Sequence, residues 1–241
     1  MRFRDIPGHE REKALLREMA DNDRIPHALL LEGPAGTGKF MLARAFAQYI
    51  HCTARTPDGD SCGQCPSCRQ HESFNHIDTV FTFPVVKKSG RPTLSDDYIA
   101  DFRDYMTANP FMDLKKWVLT LDNINAQPQI YVEEGNELLR RLTFMSRRSK
   151  YKVAILWLPE RLKTDTANKL LKLVEEPFAD TKFIMVSNEP RKILPTIYSR
   201  TQRIAVIRYS DAEVAAILES RGIDADTAAD AAIVAEGDVN Q

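Results

Sequence analysis

Short apolar runs alternate along the chain with stretches of mixed polarity. Runs of this kind are typical of strands buried on both faces of a parallel sheet, because helices cover both sides of such a sheet. We predict buried strands at 27–32, 115–122, 151–157, 181–187 and 202–207.

The stretches between these runs carry apolar residues at helical spacing. We predict helices within 39–50, 95–109, 129–148 and 164–176, the last of them stopped by Pro177 because proline cannot continue a helix. Strands that alternate with helices predict an α/β fold with a parallel, doubly wound sheet.

The pattern changes after Ile207. Residues 208–241 are rich in alanine and helical in pattern, with a break at Gly222. We therefore predict an α/β domain over 1–207 and the start of a small helical domain over 208–241. Since the sequence stops without a clear helix end, we expect this second domain to be truncated.

Composition and charge narrow the class of protein. The chain has 241 residues, 43% of them hydrophobic, and a formal net charge of −1, so no overall basic field indicates nucleic acid. The longest apolar run, 153–158, has six residues and is far too short to span a membrane, and the N-terminus lacks the apolar segment of a signal peptide. We predict a cytoplasmic protein with no membrane partner.

One local segment, 140–152, is nevertheless basic. Its helix could face DNA, with Arg147 and Arg148 as the candidate contact residues. A solvated helix face is the alternative interpretation.

Four cysteines lie close together in the sequence, and thiols stay reduced in the cytoplasm, so metal binding is more typical of them than disulfides. Two C-x2-C turns within this set suit a tetrahedral Zn²⁺ site with every position filled, which indicates a structural role. An Fe–S cluster and free thiols are the alternatives, and we interpret the flanking histidines 51, 71 and 76 as surface or packing residues. The predicted ligands are Cys52, Cys62, Cys65 and Cys68.

A glycine-rich loop follows the first predicted strand and precedes a predicted helix, which is the context of a phosphate-binding loop. Gly33, Gly36 and Gly38 let backbone N–H groups surround phosphate oxygens, and Lys39 reaches the β- and γ-phosphates. A chance glycine-rich turn is the alternative. This loop predicts binding of ATP, ADP or a bare anion.

The residue after the lysine is Phe40, where working phosphate-loop enzymes have the hydroxyl that coordinates Mg²⁺. We therefore expect weak phosphate binding at most. An acid should hold the metal from a neighbouring strand, and Asp122 ends one predicted strand. Another predicted strand ends in Trp157, and Glu160 follows it in the next turn, so the pattern alone does not choose the acid.

Several motifs in the same order resemble those of the bacterial clamp-loader AAA+ ATPases, the γ/τ and δ′ subunits of the DNA polymerase III holoenzyme. They are "RIPHALLLEGPAGTGK", the four-cysteine insert, "TANKLLKLVEEP" and "LPTIYSRT". The resemblance covers essentially the whole chain. It implies a RecA-like P-loop AAA+ domain with a zinc knuckle, a small α-helical lid, and a C-terminal collar that this sequence lacks.

The resemblance also implies partners: other clamp-loader subunits, namely γ/τ and δ, together with primer-template DNA and the sliding clamp. It places Trp157 and Leu158 at the positions of the metal acid and the catalytic glutamate. Asn240 stands where active subunits have a sensor arginine. With Phe40, these departures favour a δ′-like, non-catalytic subunit without ATP hydrolysis of its own.

Two alternatives stay open. A γ/τ-like active ATPase motor would use Asp122 in an unusual site, and a nucleotide-binding sensor would act outside replication. Residues 81–115 have no counterpart in the family motifs, and the sequence assigns them no role.

The resemblance further implies an arginine finger. Ser199 and Arg200 match the family's Ser-Arg-Cys motif, with Thr201 in place of the cysteine. In the family this arginine reaches the ATP bound by the neighbouring subunit, where an always-charged guanidinium stabilises the transition state. A solvated arginine at a helix end is the alternative.

Overall fold

The computed structural model describes residues 1–87, 93–121, 127–144 and 148–241. Within these ranges, five parallel strands form one sheet in the order β2-β3-β4-β1-β5. The predicted α/β class with a parallel sheet is confirmed. The strands are Ala28–Glu32 (β1), Thr79–Thr82 (β2), Lys152–Trp157 (β3), Thr181–Ser187 (β4) and Gln202–Ala205 (β5).

Helices cover both faces of the sheet, so most side chains of the three central strands are buried whichever way they point. Along β1, Leu29 and Leu31 join one apolar cluster, whereas Ala28 and Leu30 join the other. The described α-helices are Glu10–Asp21 (α1), Lys39–His51 (α2), Pro66–Glu72 (α3), Ile99–Ala108 (α4), Leu114–Thr120 (α5), Val132–Phe144 (α6), Thr164–Glu175 (α7), Pro195–Tyr198 (α8), Asp211–Glu219 (α9) and Ala225–Ala235 (α10).

The strand predicted at 115–122 is wrong, because Leu114–Thr120 forms α5. Asp113 caps this helix by accepting a hydrogen bond from the Lys116 amide at 2.9 Å. Trp117 is fully buried while Leu119 is 58% exposed, so one face is apolar, as in an amphipathic helix. Three consecutive apolar residues, 117–119, predicted a buried strand, but only the residue on the inner face of the helix is buried.

Strand β2 was not predicted. It has four residues, of which Val80 and Thr82 are buried and Thr79 and Phe81 are partly exposed. Two of the four are threonines, so no apolar run marks the strand. Its pairing with β3 places it at the sheet edge.

Beyond β5, α9 and α10 pack against each other, and Gly222 lies between them with a φ of 90°. A φ in this region favours glycine, which explains the break in the helical pattern. Among the helices described, none combines the length and apolar content that a membrane-spanning segment needs.

Candidate functional site

The phosphate loop lies at the carboxyl edge of the sheet, between β1 and α2. The Gly33 amide donates to the Ser187 carbonyl at the end of β4, at 3.3 Å. Gly36 and Gly38 have φ values of 69° and 70°, the left-handed region that glycine adopts at little cost. Lys39 is the first residue of α2. The predicted loop residues thus have the backbone arrangement of a phosphate loop.

The Lys39 side chain is turned into its own loop. Its ammonium donates to the Pro34 carbonyl and, at 3.1 Å, to the Thr37 hydroxyl. Burial lowers the pKa of Lys39 to about 7, although Glu160 and Asp238 act in the opposite direction. Near neutral pH this lysine therefore carries only part of a full positive charge, which weakens its attraction for an anion.

An aromatic cluster lies beside the phosphate loop, around the side chain of Phe40. Phe40 is 3% exposed, and its ring centroid lies 6.4 Å from Phe81, 6.1 Å from Phe102 and 6.3 Å from Trp157. Leu158, which follows β3, is 2% exposed. These side chains provide no oxygen ligand for Mg²⁺, which prefers carboxylates, hydroxyls and water.

Glu160 is the first acid after β3, and one of its carboxylate oxygens is hydrogen-bonded, whereas Oε2 is buried without a hydrogen-bond partner among the described residues. Its Oε1 accepts hydrogen bonds from the amides of Asn188 and Glu189, at 2.9 and 3.1 Å. It lies in a short 3-10 turn, Pro159–Arg161, as the sequence predicted for the segment after β3. The carboxylate therefore holds the turn after β4. Asp122, the other candidate acid, lies outside the described residues, and the strand predicted to end there is a helix instead.

Among the described residues, three distant segments cover the phosphate loop. A Cβ on Gly36 would lie 1.6 Å from Asp238 Oδ1, and one on Gly38 would lie 2.7 Å from the Tyr209 hydroxyl and 3.8 Å from the Phe111 ring. The space left at the loop is about 10 Å³. This volume is about that of a single water site.

Asn240 stands at the expected sensor position without an arginine's charge. Its amide donates to Asp238 Oδ1 at 2.9 Å, and its side-chain Nδ2 is buried without a hydrogen-bond partner among the described residues. The end of the chain therefore presents a carboxylate, that of Asp238, to the phosphate loop.

The four cysteines converge beside α2 and α3. Their sulfur atoms all lie within 4.8 Å of one another, with Cys52–Cys62 at 3.7 Å and Cys62–Cys68 at 3.9 Å. Tetrahedral zinc with Zn–S bonds of about 2.3 Å sets sulfur atoms about 3.8 Å apart. The observed spacing therefore fits the metal that the sequence predicted.

Backbone amides point at these sulfurs. The Gln64 and Cys65 amides donate to Cys62 Sγ at 3.4 and 3.3 Å, and these bonds lower the pKa of the Cys62 thiol. The Cys68 amide donates to Cys65 Sγ at 3.4 Å. Hydrogen bonds of this kind stabilise thiolates, which are the form that binds metal.

The three histidines beside the cysteines form a buried stack and are not surface residues. They are at most 8% exposed, and His76 stacks on both His51 and His71 with ring centroids 4.3 Å apart. The Asp78 amide donates to His76 Nδ1 at 3.2 Å, and His51 bonds the Tyr151 carbonyl at 2.9 Å. One ring nitrogen from each histidine lies within 4.8 Å of the others, and His51 Nδ1 lies 2.9 Å from His71 Nε2, so these buried side chains form a second group that could hold a metal ion.

Arg200 lies at the opposite edge of the sheet from the phosphate loop. It precedes β5, whose first residue, Gln202, is level with Leu29 near the start of β1. Gly33 lies four residues beyond Leu29, so the level of Gln202 in the sheet is about 13 Å from Gly33, and Arg200 lies before Gln202. Ser199 and Arg200 are both exposed, at the end of α8.

The Arg200 guanidinium is oriented along the surface by its own chain. Its Nη2 pairs with Glu175 Oε1 at 2.6 Å, and its Nη1 donates to the Thr196 carbonyl at 2.9 Å. The side chain remains 41% exposed. It is therefore available to another molecule and too far away to serve its own phosphate loop.

Three described side chains of the basic segment 140–152 are paired within the chain. Arg140 and Arg141 bind Glu137, and Lys150 pairs with Asp23 at 2.6 Å. The backbone amide of Arg148 donates to Asp78, Arg148 itself is exposed, and Arg147 lies outside the described residues. DNA contact by Arg147 and Arg148 therefore stays a prediction.

Sequence reasoning missed the side chains that cover the loop. Phe111, Tyr209 and Asp238 come from three segments far apart along the chain. Asp238 lies two residues before Asn240, in the stretch that the resemblance assigns to the lid, whereas Phe111 and Tyr209 lie in none of the motifs. Only the fold brings the three side chains together.

A parallel sheet with a phosphate loop after an inner strand, and a helical pair following the last strand, defines a P-loop protein of the AAA+ class. A DNA polymerase III gamma subunit-related protein from Thermotoga maritima has this fold, with a TM-score of 0.50, 14% identity, and coverage of 92% of this chain and 57% of that one. Residues 8–209 match the family described as "DNA polymerase III, delta subunit", and the chain belongs to this family.

Relatives of both subunit types match. The gamma/tau subunit of Mycobacterium tuberculosis strain H37Rv is 31% identical over 230 residues, covering 94% of this chain and 33% of that protein. The delta′ subunit of Pseudomonas aeruginosa is 27% identical over 189 residues, covering 78% of this chain and 45% of that protein. The chain thus spans less than half the length of these relatives. The resemblance to clamp-loader AAA+ subunits is confirmed, without a choice between the two types.

Proposed function

We propose that this chain is a δ′-like subunit of a bacterial DNA polymerase III clamp loader. It hydrolyses no ATP itself and supplies Arg200 to an ATPase site on a neighbouring subunit. Within that complex it helps load the sliding clamp on primer-template DNA.

The replacement of the metal ligands carries this proposal. Phe40 stands at the position of the Mg²⁺-binding hydroxyl, and Trp157 at the end of β3 packs against it 6.3 Å away. Both are buried, so water cannot substitute for the missing ligands. Without a bound metal the charge that develops on a transferring phosphoryl group is not neutralised, and hydrolysis is slow.

The position of Arg200 supports a role in trans. It is exposed, lies about 13 Å of sheet away from the chain's own phosphate loop, and is oriented by Glu175. A guanidinium that reaches a neighbour's γ-phosphate stabilises negative charge in the transition state, an effect worth about 10³–10⁵ in rate in related systems.

The test uses a loader reconstituted with γ/τ and δ subunits and this chain. Arg200→Ala should lower DNA-stimulated ATP turnover at the served site by about tenfold or more, while assembly measured by gel filtration is unchanged. Arg203→Ala is the matched control, since Arg203 is exposed and lies three residues away. Equal ATP turnover by the Arg200→Ala and wild-type complexes would refute the role of Arg200 as an arginine finger.

We propose that Cys52, Cys62, Cys65 and Cys68 are the four ligands of a zinc ion. The metal would cross-link the loop after α2 to α3, and such structural sites contribute on the order of 10 kcal/mol to local folding. All four ligands come from protein, which leaves no open position for a substrate. Elemental analysis should find about one zinc per chain.

A γ/τ-like motor is the second candidate, because the M. tuberculosis gamma/tau subunit is 31% identical to this chain. Such a motor needs an acid beside the loop, and Asp122 is the candidate left for that role. The two candidates differ in one property, ATP turnover by the isolated chain.

A further inference from the structure

We propose that α4, α5 and the turn between them form a built-in plug, which closes the phosphate loop together with Asp238 and keeps nucleotide out. Most of this segment lies within 81–115, to which the family motifs assign no role, and α5 continues into the stretch predicted as a strand. The inference goes beyond the proposed function, which requires only that the chain does not hydrolyse ATP.

The plug is firmly attached to the sheet. Phe102 on α4 stacks on Phe83 with ring centroids 3.6 Å apart. Trp117 on α5 is fully buried and donates from Nε1 to the Pro84 carbonyl at 2.8 Å. These contacts fix both helices against the residues that follow β2.

The turn between α4 and α5 carries the side chains that cover the loop. Met112 has a φ of 53°, which turns the chain sharply, and its amide donates to the Asn109 carbonyl at 3.0 Å. The Asp113 amide donates to the Tyr105 hydroxyl at 2.7 Å. Phe111 and Met112 are 6% and 3% exposed, and both line the small space at the phosphate loop.

The helices after β5 close the other side. Asp238 Oδ1 sits over Gly36, and the Val239 amide lies 3.5 Å from the Gly36 carbonyl. The Arg221 guanidinium lies over the Phe111 ring, 5.0 Å from its centroid, and Tyr209 meets that ring edge-on at 6.0 Å. Plug and C-terminal helices therefore hold each other in place across the loop.

A phosphate chain cannot enter this arrangement without moving it. The space of about 10 Å³ accepts about one water, far less than a diphosphate needs. The Asp238 carboxylate lies beside Gly36 and close enough to Lys39 to act on its pKa, so it adds negative charge next to the loop, which disfavours a second anion there.

The test measures binding of Mg²⁺-free ATP and of inorganic pyrophosphate by calorimetry. Wild type should show no binding at millimolar ligand. The double variant Phe111→Ala/Asp238→Ala should bind with a Kd at least about tenfold below the highest ligand concentration at which the wild type shows no binding. Lys39→Ala added to that variant should abolish the gain. The matched control is Phe144→Ala/Asp230→Ala, the same substitutions at exposed positions.

Wild-type binding as tight as that of the opened variant would overturn the plug, and so would a folded opened variant that binds nothing. If the double variant does not fold, hydrogen exchange on the wild-type chain decides. The plug predicts that amide exchange in 33–39 is unchanged by millimolar ATP, and protection by ATP would contradict it. Neither readout depends on the activity of Arg200 in an assembled loader.

Discussion

Phe102 is the centre of the aromatic cluster, and its truncation tests whether the cluster is part of the core. The side chain is fully buried, and its ring centroid lies 3.6 Å from Phe83, 5.2 Å from Trp117, 5.8 Å from Trp157 and 6.1 Å from Phe40. It therefore joins α4 to the strand ends and to the helix that follows the phosphate loop.

Phe102→Ala removes the ring and leaves a cavity among rigid neighbours, which costs about 3–5 kcal/mol of unfolding free energy. For a chain of this size, 1 kcal/mol lowers Tm by about 2–4 °C, so the melting temperature should fall by roughly 6–20 °C. Thermal and urea denaturation followed by circular dichroism measure this loss. The control, Phe144→Ala, changes a ring that is 77% exposed and should stay within about 0.5 kcal/mol.

Similar losses for the two variants would refute the reasoning. In that case α4 would not pack on the sheet, and the aromatic residues would not form a buried cluster beside the phosphate loop. A gentler substitution, Phe102→Leu, should give a smaller loss in the same direction, because most of the volume is kept.

Three further predictions concern the zinc module, the N-terminus and pH. Cys65→Ser should lose the zinc found by elemental analysis, whereas Gln64→Ala, an exposed change between the same cysteines, should keep about one zinc per chain. Asp60 is 2% exposed and accepts two N-terminal amides at 3.1 and 2.9 Å, so Asp60→Asn should cost about 1–3 kcal/mol in urea denaturation, and exposed Asp58→Asn little. Burial lowers the pKa of His9 despite two nearby carboxylates, so the folded protein favours the neutral ring. The contribution of His9 to the unfolding free energy is therefore complete above about pH 6.5 and is lost as the pH falls below that value. His9→Gln should therefore flatten the pH dependence of the unfolding free energy below about pH 6.5, and an unchanged slope would contradict this reasoning.

Features encoded in adjacent residues were predictable from the sequence. The phosphate loop and the cysteine spacing are local motifs, and in the structure they have the backbone turns and sulfur distances that such motifs require. Four of the predicted strands also occur among the described residues. Three of them, β1, β3 and β4, are apolar runs inside the sheet, and the fourth, β5, lies at its edge with one buried residue.

The remaining features depend on contacts between distant segments. α5 was mistaken for a strand because its apolar residues cluster in sequence, while only the packing of Trp117 reveals the helical face. The covering of the loop by Phe111 and Asp238 could not be predicted, since nothing near either residue indicates the other. The histidine stack was likewise assigned to the surface or to packing without its burial being known.

The central claim is that this chain assists chemistry on a neighbour and performs none itself. The most direct test is ATP turnover by the isolated chain with Mg²⁺, measured beside its Lys39→Ala variant. The account predicts background rates for both, because buried Phe40 and Trp157 stand where the family resemblance places residues that hold the metal. Robust, Mg²⁺-dependent turnover that is lost in Lys39→Ala would contradict it and favour the γ/τ-like motor.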